Sequence, residues 1–162
     1  DKGTGYADHN VMENRVVPVR IRAFEPFEAE GYKITPLAAQ HDVRCEPVIY
    51  LIEKDGKALL YANDTGLFPE KTWEYLISHP VKLNLVSFDS THSIHANSSG
   101  HMGFAANEQI RDRLVMEGLA DESTVYVANH FTHNGGVTYD EMVPVAEKYG
   151  FVVSYDGMEV EI

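Results

Sequence analysis

The stretch PVIYLIEKDGKALLYANDTG (47–66) decides the fold of this chain. Two runs of β-forming residues lie on either side of Asp55 and Gly56, and an Asp-Gly pair between such runs is a strong signal for a tight hairpin turn. The second run ends in polar residues, among them Asp64. The stretch therefore predicts a β-hairpin whose second strand carries a carboxylate at its end.

Sequence patterns on both sides of this hairpin predict a mixed architecture. Upstream, residues 16–24 alternate apolar and polar side chains and residues 31–37 are rich in β-formers, which predicts two strands. Downstream, the patterns predict a helix (69–79), a strand (83–91), a helix (104–119), a strand (124–130), a helix (139–149) and a final strand pair (151–162). Because the strand-rich first third is followed by alternating strands and helices, the predicted fold class is α/β, with helices layered on a sheet.

Helical spacing predicts which side chains of the first two helices face the core. The first helix opens at Pro69, a residue favoured at helix starts, and the second is closed by Gly118. The predicted core-facing residues are Trp73, Leu76 and Ile77 in the first helix and Ile110, Leu114 and Val115 in the second.

Length and composition predict one globular domain. The chain has 162 residues, of which 44% are hydrophobic and 23% are charged, as in ordinary folded proteins. Residues 1–14 are polar and aperiodic, which predicts a loop. The lone Cys45 excludes an internal disulfide and a cysteine-based zinc cluster, and no apolar run approaches the roughly 20 residues of a membrane span. We therefore expect a cytoplasmic protein without a membrane partner.

The charge balance narrows the set of partners. There are 25 acidic and 13 basic residues, which gives a formal net charge of −12. A broad basic face, on which nonspecific binding to nucleic acid depends, is disfavoured by this balance. We therefore expect a small-molecule substrate rather than a nucleic acid.

Polar residues follow three of the predicted strands where each one ends. Asp64 follows the first, Asp89 and His92 the second, and His130 and His133 the third. In layered α/β folds, ligands collect at the carboxyl ends of strands. Imidazole nitrogens and carboxylate oxygens are ligands for Zn²⁺, Mn²⁺ and Fe²⁺. The pattern indicates a metal site at one edge of the sheet.

Residue types and spacing alone leave alternatives open at each position. Asp64 can bind a metal or can simply cap a turn, and His41 can be a ligand or an ordinary loop residue. His101 precedes a predicted helix, where it can sit beside a bound anion or be merely exposed. His133 can contact a ligand or lie in solvent. For Cys45, an incidental thiol is favoured over a Cys–His nucleophile.

Five segments together resemble the metallo-β-lactamase superfamily in its phosphodiesterase branch. The resemblance covers about residues 16–162. Within that branch, the chain is similar first to the cyclic-phosphate phosphodiesterases of the carbon–phosphorus lyase pathway and more distantly to tRNA 3′-end processing endonucleases. The segments are PLAAQH (36–41), YANDTG (61–66), SSGHMG (98–103), ANHFTHNGG (128–136) and YDGMEVEI (155–162).

The resemblance implies the C-terminal portion of an αββα sandwich and a hydrolase with two divalent metal ions, zinc, manganese or iron. His41, Asp64 and His130 match the metal ligands of the family, with Asp64 bridging the two ions. His101 matches a general acid near the scissile phosphate, and His133 matches a histidine that either supports the metal ligands or contacts the substrate. The implied substrate is a small or cyclic phosphodiester, and a homodimer is the implied assembly.

One departure from the family pattern bears on these expectations. The signature H-x-H-x-D-H, which supplies most of the metal ligands, is absent, and its nearest counterpart is Ala7-Asp8-His9. We therefore expect a single metallo-β-lactamase-like domain over residues 1–162 that is either N-terminally incomplete or degenerate. The alternatives are another hydrolase of this fold, acting on a thioester or lactone, and a non-catalytic binding domain.

Overall fold

A computed structural model describes residues 17–162, in which seven strands form one sheet in chain order. The first four strands pair in antiparallel fashion and the last four in parallel fashion. The strands are β1 (Phe27–Ala29), β2 (Tyr32–Ala38), β3 (Val48–Lys54), β4 (Lys57–Ala62), β5 (Leu85–Asp89), β6 (Val125–Asn129) and β7 (Val152–Val153). The helices are α1 (Glu70–Ser78), α2 (Phe104–Met116) and α3 (Tyr139–Ala146), with 3₁₀ turns at His133–Gly135 and Glu147–Tyr149.

The predicted hairpin is confirmed as β3 and β4. Lys54 pairs with Lys57, so the turn consists of Asp55 and Gly56 alone. Both turn residues have positive φ, 50° and 77°. This conformation matches the right-handed twist of the two strands and is accessible to Asp and Gly at low cost.

The parallel half of the sheet aligns the carboxyl ends of its strands. A helix connects each strand to the next one, α1 between β4 and β5, α2 between β5 and β6, and α3 before β7. In the register, Ala62 is beside Phe88, and Asp89 is beside Asn129. The residues that directly follow these strands therefore meet at one edge of the sheet.

The core lies on one face of the sheet, where all three helices pack. Its largest fully buried side chains include Phe88 of β5 and Phe104 of α2. A capping box holds the start of α3, since Thr138 Oγ1 accepts from the Glu141 amide and the Glu141 carboxylate accepts from the Thr138 amide. Other core residues are Leu37, Ile49, Leu51, Leu60, Val86, Tyr126, Trp73, Leu76, Ile110 and Leu114.

The opposite face of the sheet is less covered. Its side chains at Leu59 and Tyr61 line an open groove of about 610 Å³ together with Tyr155, Met158 and Val160 of the C-terminal segment. Tyr61 remains 40% exposed. The described part of the chain is therefore a sheet with one helical layer, which is half of a sandwich.

Two predicted strands are wrong. Residues 17–24 form no strand. Val17 and Val19, whose side chains a half-buried strand would cover, are 81% and 76% exposed. The predicted final strand pair reduces to β7, because the alternating run 158–162 makes no strand pairing. Alternation alone fixes which side chains share a face, whereas a strand also needs a hydrogen-bonded neighbour.

The predicted helix faces are confirmed except at their margins. Trp73, Leu76, Ile110 and Leu114 are buried. Ile77 is 42% and Val115 is 48% exposed, because each directly follows a buried residue and lies about 100° further around the helix. Gly118 (φ 71°) ends the turn after α2 as predicted, and the predicted third helix finishes as a 3₁₀ turn before Gly150.

The predicted loop at residues 1–14 and the Ala7-Asp8-His9 segment lie outside the described residues. Within residues 17–162, no helix is both long enough and apolar enough to cross a bilayer.

Candidate metal centre

Four of the five predicted site residues converge at the carboxyl edge of the parallel strands. Asp64 follows β4, His130 follows β6, and His41 comes from the loop after β2. Asp64 Oδ1 is 3.3 Å from His130 Nε2 and 3.8 Å from His41 Nε2. The His101 ring stacks on that of His130 at 5.7 Å and meets that of His41 edge-on at 4.7 Å between ring centroids.

The fifth residue, His133, lies on the 3₁₀ turn three positions beyond His130. Its side chain is exposed. The turn is held in place by His95, whose Nε2 is 2.9 Å from the Gly135 carbonyl oxygen. A substrate contact from His133 stays a prediction.

Asp89 belongs to the strand-end pattern from which a metal site is predicted, but no individual role was predicted for it. It is the last residue of β5, and its side chain is 0% exposed. Its carboxylate accepts from the amides of Thr65, Thr91 and Met102 at 3.3, 3.0 and 3.2 Å, and from His101 Nδ1 at 2.8 Å. The signal in the sequence is a carboxylate ending an apolar strand, because a buried carboxylate requires such partners.

Two of the histidines are fixed through the same ring nitrogen. His41 Nδ1 is 3.0 Å from the Gly100 carbonyl oxygen, and His101 Nδ1 is 2.8 Å from the Asp89 carboxylate. A carbonyl oxygen and an ionised carboxylate can only accept, so each Nδ1 carries a proton, and in the neutral ring each Nε2 then holds a lone pair. Metal-bound histidines usually have this second hydrogen bond to a carbonyl or carboxylate.

The donor set fits a divalent cation. Two ligand atoms on a tetrahedral zinc, each about 2.1 Å from it, lie about 3.4 Å apart. The Asp64–His130 and Asp64–His41 separations of 3.3 and 3.8 Å are close to this value. One donor atom each from Asp64, Asp89, His101 and His130 also lies within 4.8 Å of the others. Because the Asp89 oxygens already accept four hydrogen bonds, we assign Asp89 to support rather than to ligation.

Asp64 and His130 share an uncommon backbone conformation. Their φ angles are 52° and 58°, in the left-handed region that costs L-residues with a Cβ roughly 1–2 kcal/mol each. Such strain persists where the surrounding structure imposes it, and it concentrates at functional sites. At both positions it turns a side chain away from the strand direction and toward the cluster.

Thr65 and Gly66 tie three loops of the site together. Thr65 Oγ1 accepts from the Gln40 amide at 3.0 Å, and the Gly66 amide donates to the Gln40 carbonyl at 2.7 Å. A Cβ on Gly66 would lie 2.5 Å from the Ser98 carbonyl oxygen and 2.8 Å from the Gly100 amide nitrogen. The loops that carry His41, Asp64 and His101 therefore meet at a position that only glycine fits.

The loop beyond His41 carries a tight ion pair. The Arg44 guanidinium donates to both carboxylate oxygens of Asp42 at 2.6–3.0 Å, and this bond lowers the pKa of Asp42 to about 2. Cys45 is exposed, and its thiol donates to the Asp42 carbonyl oxygen at 3.4 Å. The interpretation of Cys45 as an incidental thiol agrees with these contacts.

Comparison with solved structures identifies the fold. Three similar structures are the metallo-β-lactamase-fold protein YhfI from Bacillus subtilis (TM-score 0.64, 16% identity, covering 94% of this chain and 61% of that one), a metallo hydrolase from Ignicoccus hospitalis (0.62, 20%, 96% and 64%), and an isothiocyanate hydrolase from Delia radicum gut bacteria (0.61, 15%, 96% and 64%). No protein-family model and no curated protein sequence matches the chain.

These likenesses define a class of fold. The chain has the metallo-β-lactamase fold over the part that it spans, with one sheet and one helical layer of the sandwich. It covers 61–64% of the length of the three proteins named above. The predicted fold class, the C-terminal portion of an αββα sandwich, is thereby confirmed.

Proposed function

We propose that this chain belongs to a metal-dependent hydrolase whose substrates are small or cyclic phosphodiesters. The observation that carries the proposal is the convergence of the Asp64 carboxylate with His41 Nε2 and His130 Nε2, each pair at a separation that two ligands of a shared cation can have. A solved neighbour, the Ignicoccus hospitalis protein, is described as a metallo hydrolase, which supports a metal-dependent function for this fold.

Each ligand has a distinct role in the proposed centre. His41 and His130 approach Asp64 from two different loops, and a carboxylate can serve two cations, so in a two-cation centre His41 would hold one cation, His130 would hold the other and Asp64 would contribute to both. Imidazole and carboxylate suit zinc, manganese or iron. When bound, such cations polarise phosphoryl oxygens and make water a stronger nucleophile.

His101 is the proposed general acid. Its Nδ1–H donates to the buried Asp89 carboxylate, which fixes the ring, and in the imidazolium form its Nε2–H would give a proton to the leaving oxygen. His101 is 28% exposed, so a substrate can reach it. We place His133 on the substrate side, since it lies on the adjoining exposed turn.

The overall charge favours a small substrate over a polynucleotide. The net charge of −12 repels a long polyanion, whereas bound cations dominate the field within a few ångströms of a single phosphodiester. A second candidate is hydrolysis of a substrate without phosphorus, such as a thioester or lactone. One structural neighbour named as an isothiocyanate hydrolase favours this candidate.

The test compares wild type with Asp64→Asn. Asn tolerates positive φ, so this variant removes the carboxylate but keeps the backbone conformation. The control is Asp121→Ala, which removes an exposed carboxylate at the other end of the sheet. Zn²⁺ and Mn²⁺ binding by equilibrium dialysis and hydrolysis of bis-p-nitrophenyl phosphate are measured for all three proteins. We expect Asp64→Asn to lose cation affinity by about 100-fold and the control to lose none.

Each outcome selects one candidate. Cation-dependent phosphodiester hydrolysis that disappears in Asp64→Asn supports the proposal. Cation binding with activity only on a thioester or lactone selects the second candidate. Cation binding without any hydrolysis leaves a binding domain. If wild type and Asp64→Asn bind cations equally weakly, the metal centre itself is wrong.

A further inference from the structure

We propose that Thr91 is a positioning residue that fixes the tautomer and orientation of the His130 ring. Thr91 is the second residue after β5, and its amide donates to Asp89 Oδ1 at 3.0 Å, which holds it beside the site. Its hydroxyl oxygen is 2.9 Å from the His130 carbonyl oxygen, 2.9 Å from His130 Nδ1 and 3.1 Å from His101 Nδ1. One hydroxyl group thus touches two histidines that belong to different loops.

The number of protons on this hydroxyl determines the state of the ring. A hydroxyl has one proton and two lone pairs, and a carbonyl oxygen can only accept. The Thr91 proton therefore goes to the His130 carbonyl oxygen, and the hydroxyl oxygen can only accept from the rings. It follows that His130 Nδ1 carries a proton, and in the neutral ring Nε2, 3.3 Å from Asp64 Oδ1, then holds the lone pair.

Asp89 does not duplicate this role for His130. Its Oδ2 is 2.8 Å from His101 Nδ1 but 3.5 Å from His130 Nδ1, which is beyond an ordinary N–H···O bond. The buried carboxylate thus fixes His101, and the hydroxyl fixes His130. Without the hydroxyl, His130 Nδ1 has no short acceptor in the described part of the chain, and its proton is free to move to Nε2.

The proposal has a consequence for ligand binding that rests on the metal-dependent function proposed above. A cation needs the lone pair on Nε2, and a ring whose proton sits on Nε2 must first change tautomer. Loss of the group that orients a metal-bound histidine typically lowers metal affinity by about 10–100-fold. The tautomer is measured without a cation, so the role of Thr91 is tested separately from the metal-dependent function.

The experiment measures the tautomer directly in the cation-free full chain. Long-range ¹H–¹⁵N correlation spectra of histidine-labelled protein at about pH 8, where imidazole is neutral, distinguish Nδ1–H from Nε2–H rings. The His130→Asn spectrum assigns the His130 signals. Wild type is compared with Thr91→Val, which replaces the hydroxyl by a methyl group, with Thr91→Ser, which keeps it, and with Thr124→Val, which removes a buried hydroxyl at the opposite end of the sheet.

We expect Nδ1–H for His130 in wild type, Thr91→Ser and Thr124→Val, and a large Nε2–H population in Thr91→Val alone. An Nε2–H ring in wild type overturns the proposal even if Thr91→Val fails to fold, as does an unchanged tautomer in a folded Thr91→Val. Zn²⁺ titration adds a second measurement, in which affinity falls about 10–100-fold in Thr91→Val and recovers in Thr91→Ser. If the tautomers follow the prediction but wild type binds no Zn²⁺, the proposed function fails and the role of Thr91 stands.

Discussion

The two ends of the parallel strands use polar side chains in opposite ways. At the amino end, Asn84 Oδ1 accepts from the Ala58 amide at 3.0 Å, and Thr124 Oγ1 donates to the Leu83 carbonyl oxygen at 2.8 Å. At the carboxyl end, Asp64 and His130 adopt positive φ and turn their side chains toward one another. The side chains at the amino end bond backbone groups of the sheet and its loops, whereas Asp64 and His130 at the carboxyl end direct a carboxylate and a ring nitrogen into a shared space.

This difference separates structural polar groups from functional ones. At the amino end, the Asn84 and Thr124 side chains bond backbone groups of a neighbouring strand or loop, and these contacts relieve a cost of burial. At the carboxyl end, His41 and His101 bond the protein through Nδ1, which leaves Nε2 of each ring available to a ligand. Backbone strain and one-sided anchoring occur together where a ligand is to be held.

The largest expected effect is that of Gly66→Ala at the carboxyl end. The new Cβ would lie 2.5 and 2.8 Å from backbone atoms of Ser98 and Gly100, so the loops must separate. We expect the free energy of unfolding to fall by about 3 kcal/mol, the upper part of the range for overpacking. Zn²⁺ affinity should fall in the same variant, because the loops carrying His41 and His101 move. Urea denaturation and equilibrium dialysis measure the two quantities.

Gly135→Ala is the matched control for that substitution. Its Cβ would meet only Ser93 Oγ at 3.5 Å and the Thr91 carbonyl oxygen at 3.7 Å, which are ordinary contacts. We expect a change in stability of less than about 1 kcal/mol. Equal losses at Gly66 and Gly135 would mean that the loop junction at Gly66 has no special part in the site.

Local patterns in the sequence were sufficient for much of the fold. Asp55-Gly56 identifies the hairpin because few residue pairs accept two positive φ angles, and the short apolar run of β5 is recognisable because it is buried on both faces. The runs at 17–24 and 158–162 alternate apolar and polar side chains as a strand does, but nothing in these residues shows whether a neighbouring strand pairs with them. Strand pairing is a long-range property that period-2 alternation does not encode.

The site was predictable in part for a related reason. Asp64 and His130 stand at strand ends, and parallel pairing brings such positions together whatever lies between them. Asp89 stood at a third strand end, but its role depends on which amides and which histidine surround it. Thr91 gave no signal, because a threonine after a strand is common and only its position between His101 and His130 distinguishes it.

A smaller effect is expected for Thr124→Val at the amino end. The Thr124 hydroxyl donates to the Leu83 carbonyl oxygen and accepts from the Asp121 amide at 3.1 Å, and both partners lose this bond in the variant. We expect the free energy of unfolding to fall by about 1–2 kcal/mol, as for other buried hydrogen bonds. Zn²⁺ affinity should stay within about twofold of wild type. A parallel loss of affinity would show that the two ends of the sheet are coupled rather than separate.

The smallest effect is expected for Lys82→Ala, which concerns an exposed pair at the amino end. Lys82 Nζ lies 2.5 Å from Asp121 Oδ2, and this bond is the main reason why the pKa of Asp121 is lowered from 3.8 to about 2. Because the folded-state pKa is the lower one, the stabilisation is present above about pH 4 and is lost as the pH falls toward 2. In Lys82→Ala the pKa should rise toward 3.8 but stay below it, since Ser123 still donates to the carboxylate from its amide and its hydroxyl. Carboxyl NMR titration measures this shift, and thermal unfolding between pH 4 and 2 should depend less on pH in the variant. An unchanged pKa of Asp121 would mean that the Ser123 bonds alone hold the carboxylate, and that the amino end needs no ion pair to close it.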